Sequence, residues 1–301
     1  MSPVLVAGAT GLVGRDICRR LAGEGMPVRA LVRASSDPAK VAGLRDLGAE
    51  IAVGDVRDPA SLDIACRGVE SVISTLSSMP FAYEPGVNDI GPTDRDGTMA
   101  LVDAAQRAGA RGFVYMSFSG NIDLDFPLRN TKRAVEAHVR ASGLDWTVLR
   151  PSYFMEVWLS PAVGFDAASA TAAIFGTGEN PISWIAVPDV AEFAVRALDA
   201  PAARNATLEL GGPAAIPPND VVRIFERHLG RPFAVTHVPV EALEAAQAEA
   251  PHDMARSFAG LQRCYAAGDP IAMEAILREI PLPLVSVDEF AAEVAAGLRG
   301  A

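Results

Sequence analysis

The chain has 301 residues, half of them hydrophobic, and its 37 acidic against 26 basic side chains give a formal charge of −11. That length fits one large domain, or a cofactor domain with a smaller appendage, and the apolar content excludes a disordered chain. The acidic balance excludes a general nucleic-acid surface, and no apolar run approaches the ~20 residues a membrane span needs.

The opening "SPVLVAG" has no charged leader, so no signal peptide is expected. "VLVAG" reads as a strand ended by glycine, and Leu12, Val13, Ile17 and Leu21 follow at helical spacing. Further strands are expected at 28–32, 50–55, 71–76, 112–117 and 145–151, with helices near 38–47, 59–66, 94–108 and 130–141. Short Val- and Ile-rich strands alternating with helices predict right-handed βαβ units and a doubly wound, parallel α/β (Rossmann) sheet of six strands. After Pro151 the rhythm changes. "AASATAAIFGTGENP" reads as a loop or lid, and "WIAVPDVAEFAVRAL" as a strand running into a helix with Asp189 as N-cap and Glu192 as its capping partner. "ATLELGGP" is a strand and turn. "PPNDVVRIFERHLGRP" is a helix with Asn219 as cap and Gly230 just past its end, and "FAVTHVP" is a last strand among alanine-rich helices. The expected division is a nucleotide-binding domain over 1–155 and a smaller α+β substrate lobe over 156–301, interleaved with the sheet. The alanine-rich helices leave a homodimer surface and a cover for the core as alternatives.

Cys18, Cys66 and Cys264 lie far apart without CxxC spacing, which suits reduced, buried thiols and a reducing cytoplasm. The four histidines, His138, His228, His237 and His252, show no metal spacing and no triad context, so no metal is expected. The chemistry-bearing signal is the turn Gly8, Ala9, Thr10, Gly11, Leu12, Val13, Gly14, placed after a strand and opening a helix. Glycines there permit a tight turn, let a pyrophosphate reach the backbone and let helix pack on strand, while the helix N-terminus offers free N–H groups. Arg33 ends the second strand, where a carboxylate would bind the 2′-hydroxyl of NAD. A guanidinium suits the 2′-phosphate of NADP instead, so NADP(H) is favoured over NAD(H). Ser35, Ser36 and Lys40 are further donors nearby, and the bland alternative is a solvated charge.

The spacing Gly8-x-x-Gly11-x-x-Gly14, with "GATGLVG" followed by "VRALVR", resembles the extended and atypical short-chain dehydrogenase/reductases. It is most similar to the NmrA-like group of quinone-reductase-like and isoflavone-reductase-like proteins. The resemblance covers 1–155 well and the rest loosely. It implies Asp55 at the adenine amino group and Lys132 as the active-site lysine; Val56 is a further expected cofactor contact, and Thr75, Leu76 and Ser77, at the carboxyl edge of the fourth strand, are expected along the ribose and nicotinamide. Asp55 competes with Asp58 for the plainer job of capping the next helix. The family tyrosine four residues before the lysine is absent, because position 128 is leucine. That puts the usual alcohol–ketone mechanism in doubt and leaves Lys132, Ser117 and Tyr153 as candidates for placing or donating a proton. The alternative for Lys132 is a surface lysine paired with Glu136 one turn on. Pro151, Tyr153 and Phe154 are expected to flank the nicotinamide, and Phe118, Ser119, Met155, Trp158 and Trp184 to wall a pocket for a planar or conjugated small molecule. For each aromatic, core packing is the alternative. Two functions follow: an NADP(H)-dependent oxidoreductase of a conjugated or carbonyl compound, or a non-catalytic NADP(H)-sensing regulator that binds a partner. Sugar-nucleotide epimerase chemistry is weakened by the missing tyrosine.

Overall fold

The structure is a computed structural model and describes residues 2–79 and 83–300. Six strands fall where the Val- and Ile-rich runs place them: β1 (Val4–Ala7), β2 (Val28–Val32), β3 (Glu50–Val53), β4 (Ser71–Ser74), β5 (Gly112–Met116) and β6 (Asp145–Pro151). Two short strands, β7 (Phe165–Asp166) and β8 (Thr171–Phe175), precede β9 (Ala206–Leu210) and β10 (Ala234–Val238). The main sheet runs β3-β2-β1-β4-β5-β6-β9, one strand more than the six expected, because "ATLEL" adds to its far edge. Val6 sits in parallel register with Ala30 on one side and Ile73 on the other. The strand order reverses between β1 and β4, and in such sheets the crevice beyond the carboxyl ends at that reversal is where ligands bind. All four residues of β1 and of β4 are buried, as a strand covered on both faces requires. A second sheet runs β10-β8-β7, with β10 parallel to β8 and β7 antiparallel to it.

The crossovers are α1 (Leu12–Gly23), α2 (Pro38–Asp46), α3 (Pro59–Ala65), α4 (Thr98–Arg107) and α5 (Pro127–Ala141). Pro38 and Pro59 open α2 and α3, where a missing N–H costs nothing, and Asp37 and Asp58 cap them. The helix expected over 94–108 differs: a π-helix over Ile90–Gly97 runs straight into α4. Later come α6 (Met155–Trp158), α7 (Val187–Arg196), α8 (Pro218–Leu229), α9 (Val240–Ala248), α10 (Asp253–Ala267), α11 (Glu274–Glu279) and α12 (Val287–Gly300).

Two expected caps are corrected. Helix α7 begins before Asp189: the Val187 N–H donates to the Glu156 carboxylate at 2.9 Å, while Asp189 accepts from the Val285 N–H. Glu192 pairs with Arg20 and Arg196 rather than closing a capping box. Pro217 stands at the N-cap of α8, and Asn219 instead donates to the Thr177 carbonyl at 3.0 Å. Gly230 ends that helix in the left-handed conformation, φ 68°.

The chain forms two compact units. The first comprises Met1–Ser117, Pro127–Arg150 and Val190–Leu208, and the second Phe118–Phe126, Pro151–Asp189 and Glu209–Ala301. The first has a core in which Leu5, Val72, Phe113 and Tyr115 of the sheet meet Leu101 and Val135 of α4 and α5. The second buries Tyr153, Trp184 and Tyr265 together, with ring centroids 5.6–6.4 Å apart. No helix of the described residues is long and apolar enough to cross a membrane, and no group of three or more metal-ligating side chains is gathered among them.

Candidate active site

The glycine turn is shaped by close approach. Gly8 has φ +82°, and a Cβ there would lie 2.6 Å from the Thr75 hydroxyl oxygen at the end of β4. A Cβ on Gly14 would collide with the Gly8 carbonyl, so only glycine lets α1 sit this close to β1. Gly11 is the N-cap of α1, with no side chain to occupy the first N–H groups of that helix. Those donors and the positive end of the helix dipole face outward, which suits a diphosphate. The cradle fits the cofactor that the sequence implies.

One cavity runs along this edge. It passes from Gly8, Thr10 and Gly11 to Arg33 and Ser36, then Asp55, Val56 and Arg57, and on to Thr75, Leu76 and Ser77. The Arg33 guanidinium makes no ion pair among the described residues, while its backbone N–H is tied to the Ser36 hydroxyl at 3.0 Å. Asp55 is engaged by Arg57, which donates from Nη2 at 2.8 Å and from its backbone N–H at 2.9 Å. That pairing holds the Asp55 carboxyl below its ordinary range. Asp58, not Asp55, takes the helix cap, accepting from the Ala60 N–H. Ser35 and Lys40 are exposed, as is Leu12 at the start of α1; Ala9 is buried and Val13 half-buried.

Lys132 is far from a surface residue. It is 4% exposed, and its Nζ donates to the Leu76 and Met116 carbonyls, both at 3.1 Å. Those carbonyls lie just past β4 and at the end of β5, so the ammonium is fixed at the carboxyl edge of the sheet, beside the Leu76 end of the cavity. The Tyr115 ring lies under it, 5.2 Å from ring centroid to Nζ. Burial pulls the Lys132 pKa below its ordinary value, and the charges of Asp94 and Glu136 oppose that shift. Asp94, which the sequence reading passed over, is 1% exposed and accepts from the Ser78 N–H at 3.1 Å and from its hydroxyl. Burial raises the Asp94 pKa. Leu128, where the family tyrosine would stand, is buried on the same helix.

The pairing of Glu136 with Lys132 is corrected. Glu136 instead accepts from the Ser117 hydroxyl at 2.6 Å and from Arg133, Arg140 and Arg150. Desolvation works against its charge, but these donors prevail and hold it at about 2. The Ser117 hydroxyl is thus committed to a structural carboxylate, which argues against the proton-placing role expected of it.

The remaining expected residues belong to the second unit. Tyr153 is 2% exposed; its hydroxyl donates to the Leu261 carbonyl at 3.0 Å and its ring packs edge-on against Trp158 and Tyr265. A phenol sealed in this way packs a core, and the donor role expected of it is corrected to that. Trp184 and Met155 are likewise buried, with the Trp184 indole N–H on the Ile216 carbonyl. Trp158, half-buried, stacks on Phe258 and Tyr265. Phe118 is half-buried against Phe126, and Ser119 donates to Asp269 at 2.6 Å. Pro151 is buried in line with β6, and half-buried Phe154 bridges to Ile185.

Comparison with known proteins agrees with this architecture. The chain is 31% identical over 281 residues to an NAD(P)H azoreductase of Xenophilus azovorans, covering 92% of this chain and 91% of that one. It is 30% identical over 279 residues to the photosystem II assembly factor Ycf39 of Synechocystis sp., covering 91% and 79%. A crystal structure of an NADPH-dependent quinone oxidoreductase from Escherichia coli, in complex with NADPH, superposes with a TM-score of 0.78 at 21% identity, covering 97% and 99%. Residues 1–289 match the NmrA-like family, and the chain belongs to it.

Proposed function

We propose that this protein is an NAD(P)H-dependent reductase that prefers NADPH and passes a hydride to a small conjugated or carbonyl acceptor, of the quinone, enone or imine kind. The observation that carries this reading is the buried Lys132 ammonium, fixed by two strand-end carbonyls in the unit that holds the glycine cradle. Related proteins named as an azoreductase and a quinone oxidoreductase support it. The cofactor supplies the hydride. The turn at Gly8–Gly14 holds its diphosphate, and Arg33 its 2′-phosphate. Lys132 has three N–H bonds, two of them spent on Leu76 and Met116, and the third serves the nicotinamide ribose or the acceptor atom that gains negative charge. The lowered pKa eases release of that proton.

Titration with NADPH, followed by a screen of quinones and enones for acceptor-dependent loss of NADPH absorbance, tests the proposal. Lys132→Ala is expected to lower kcat by about 10²-fold or more, with a change of only a few-fold in NADPH Kd. A second reading, a redox sensor without turnover, is favoured by Leu128 in place of the family tyrosine and by the relative named as an assembly factor. Tight NADPH binding with no acceptor reduced across the screen would establish that reading instead.

A further inference from the structure

The chain carries two lysines among its 26 basic residues, Lys40 exposed and Lys132 buried. An arginine stays charged in any surroundings, whereas a buried lysine can lose its proton near neutral pH when nothing opposes its desolvation. A Lys132 that gives a proton to an acceptor therefore needs a group that keeps the proton on it beforehand.

Asp94 is placed to be that group. It stands on the π-helix over Ile90–Gly97, which packs against α5, the helix of Lys132. Both side chains reach the same short stretch after β4. Lys132 donates to the Leu76 carbonyl, while the two Asp94 oxygens accept from the Ser78 N–H at 3.1 and 3.2 Å and one of them from the Ser78 hydroxyl. Thr75 anchors the near end of that stretch, its N–H and hydroxyl both donating to the Ala7 carbonyl. Asp94 and Ser78 are both buried, so the carboxylate is shut away from water two residues along from the ammonium's own acceptor. The charge on each of Asp94 and Lys132 opposes the desolvation of the other. The other titratable and charged groups around Lys132 do not replace Asp94. Glu136 is matched by Arg133, Arg140 and Arg150, and Arg133 itself works against the lysine's charge. The Tyr115 phenol is held neutral by burial.

We propose that Asp94 is the positioning residue of Lys132: oriented by Ser78, its carboxylate is the counter-charge that keeps the proton on the buried ammonium. This rests on the reading of Lys132 given above.

With two lysines in the chain, carbon-13 at lysine Cε gives two NMR signals, and Lys40→Arg assigns them. Titration across neutral and alkaline pH then reads the protonation of Lys132 with no cofactor or acceptor present. Asp94→Asn keeps the shape and an oxygen for the Ser78 N–H but drops the charge, and its Lys132 midpoint is expected to lie about one pH unit or more below wild type. Ser78→Ala keeps the charge and is expected to lower the midpoint less. Equal midpoints for wild type and Asp94→Asn, or an equal fall in Ser78→Ala, would overturn the proposal. Should Asp94→Asn not fold, wild type still decides: its Lys132 signal is expected to take a second, smaller step as Asp94 protonates above the ordinary carboxylate range, and the absence of that step overturns the proposal equally. In the reduction of 1,4-benzoquinone by NADPH, the alkaline limb of kcat is expected to move with the midpoint. A midpoint that moves while that limb stays would uphold the pairing and remove Lys132 from the reaction, a failure of the earlier reading and not of Asp94.

Discussion

At the end of β2 the Arg33 guanidinium forms no ion pair among the described residues, which suits it to a bound anion. Arg33 lines the cavity with its backbone N–H bonded to the Ser36 hydroxyl, and its charge acts on Asp55, which lines the same cavity. Arg33→Asp is therefore expected to raise the Kd for NADPH by about 10- to 100-fold and that for NADH by about threefold or less, since only the former loses a charge-assisted bond. Fluorescence titration of both nucleotides checks this, and equal losses would remove Arg33 from the argument. The position of Arg33, one residue past β2, was legible in the sequence because it follows from strand length alone. Tyr153 was misleading for the opposite reason: an aromatic at a strand exit suits a pocket wall and a core equally. Only Leu261, more than a hundred residues on, shows its hydroxyl to be taken.

At the scale of elements, the approach of α1 to β1 is the feature most sensitive to a single methyl group. A Cβ on Gly14 would strike the Gly8 carbonyl, so Gly14→Ala must push the helix off the strand or open the turn. We expect a loss of about 1–3 kcal/mol in stability by urea unfolding, and NADPH binding weakened by more than 10-fold because the helix N-terminus moves away from the diphosphate. Unchanged binding by Gly14→Ala would show that the turn does not hold the nucleotide. The glycine spacing declares this contact in advance, because backbone approach leaves its mark in the residue type. The π-helix leaves none. The helix expected over 94–108 overlaps only its second half, and Asp94 gains its place from Ser78, sixteen residues back in the same β4–β5 crossover.

Across the molecule, buried carboxylates set the response to acid. Glu136 joins α5 to the end of β5 through Ser117 and to β6 through Arg150, with Arg133 beside it on the helix, and its pKa falls from 4.5 to about 2 on folding. A group depressed in the folded state contributes stability that is complete above the unfolded value and is lost as pH falls from about 4.5 toward 2. The shift corresponds to about 3 kcal/mol. Glu136→Gln should therefore be less stable than wild type by roughly that amount at pH 7, with the gap closing below pH 4.5. Denaturant midpoints across pH 2–7 measure it, and a gap independent of pH would mean that the carboxylate's charge is not what matters. Asp94 and Asp269 act in the opposite sense: burial raises both, so each costs stability as pH rises above the ordinary carboxylate range.

What the sequence determined by itself was what local backbone chemistry enforces. Val- and Ile-rich runs alternating with helical patterns marked the strands of a parallel sheet, the glycines marked close approach, and Arg33 stood one residue past a strand. What only the tertiary structure decided was where long side chains point. Lys132 and Glu136 are one helical turn apart, yet one is drawn to carbonyls at the strand ends and the other to Ser117 and three arginines. Spacing along a helix says which residues share a face. Arg133 and Arg140 are neighbours of Glu136 on the helix, but Leu76, Met116, Ser117 and Arg150 come from strands and loops outside it and meet these side chains only when the sheet closes.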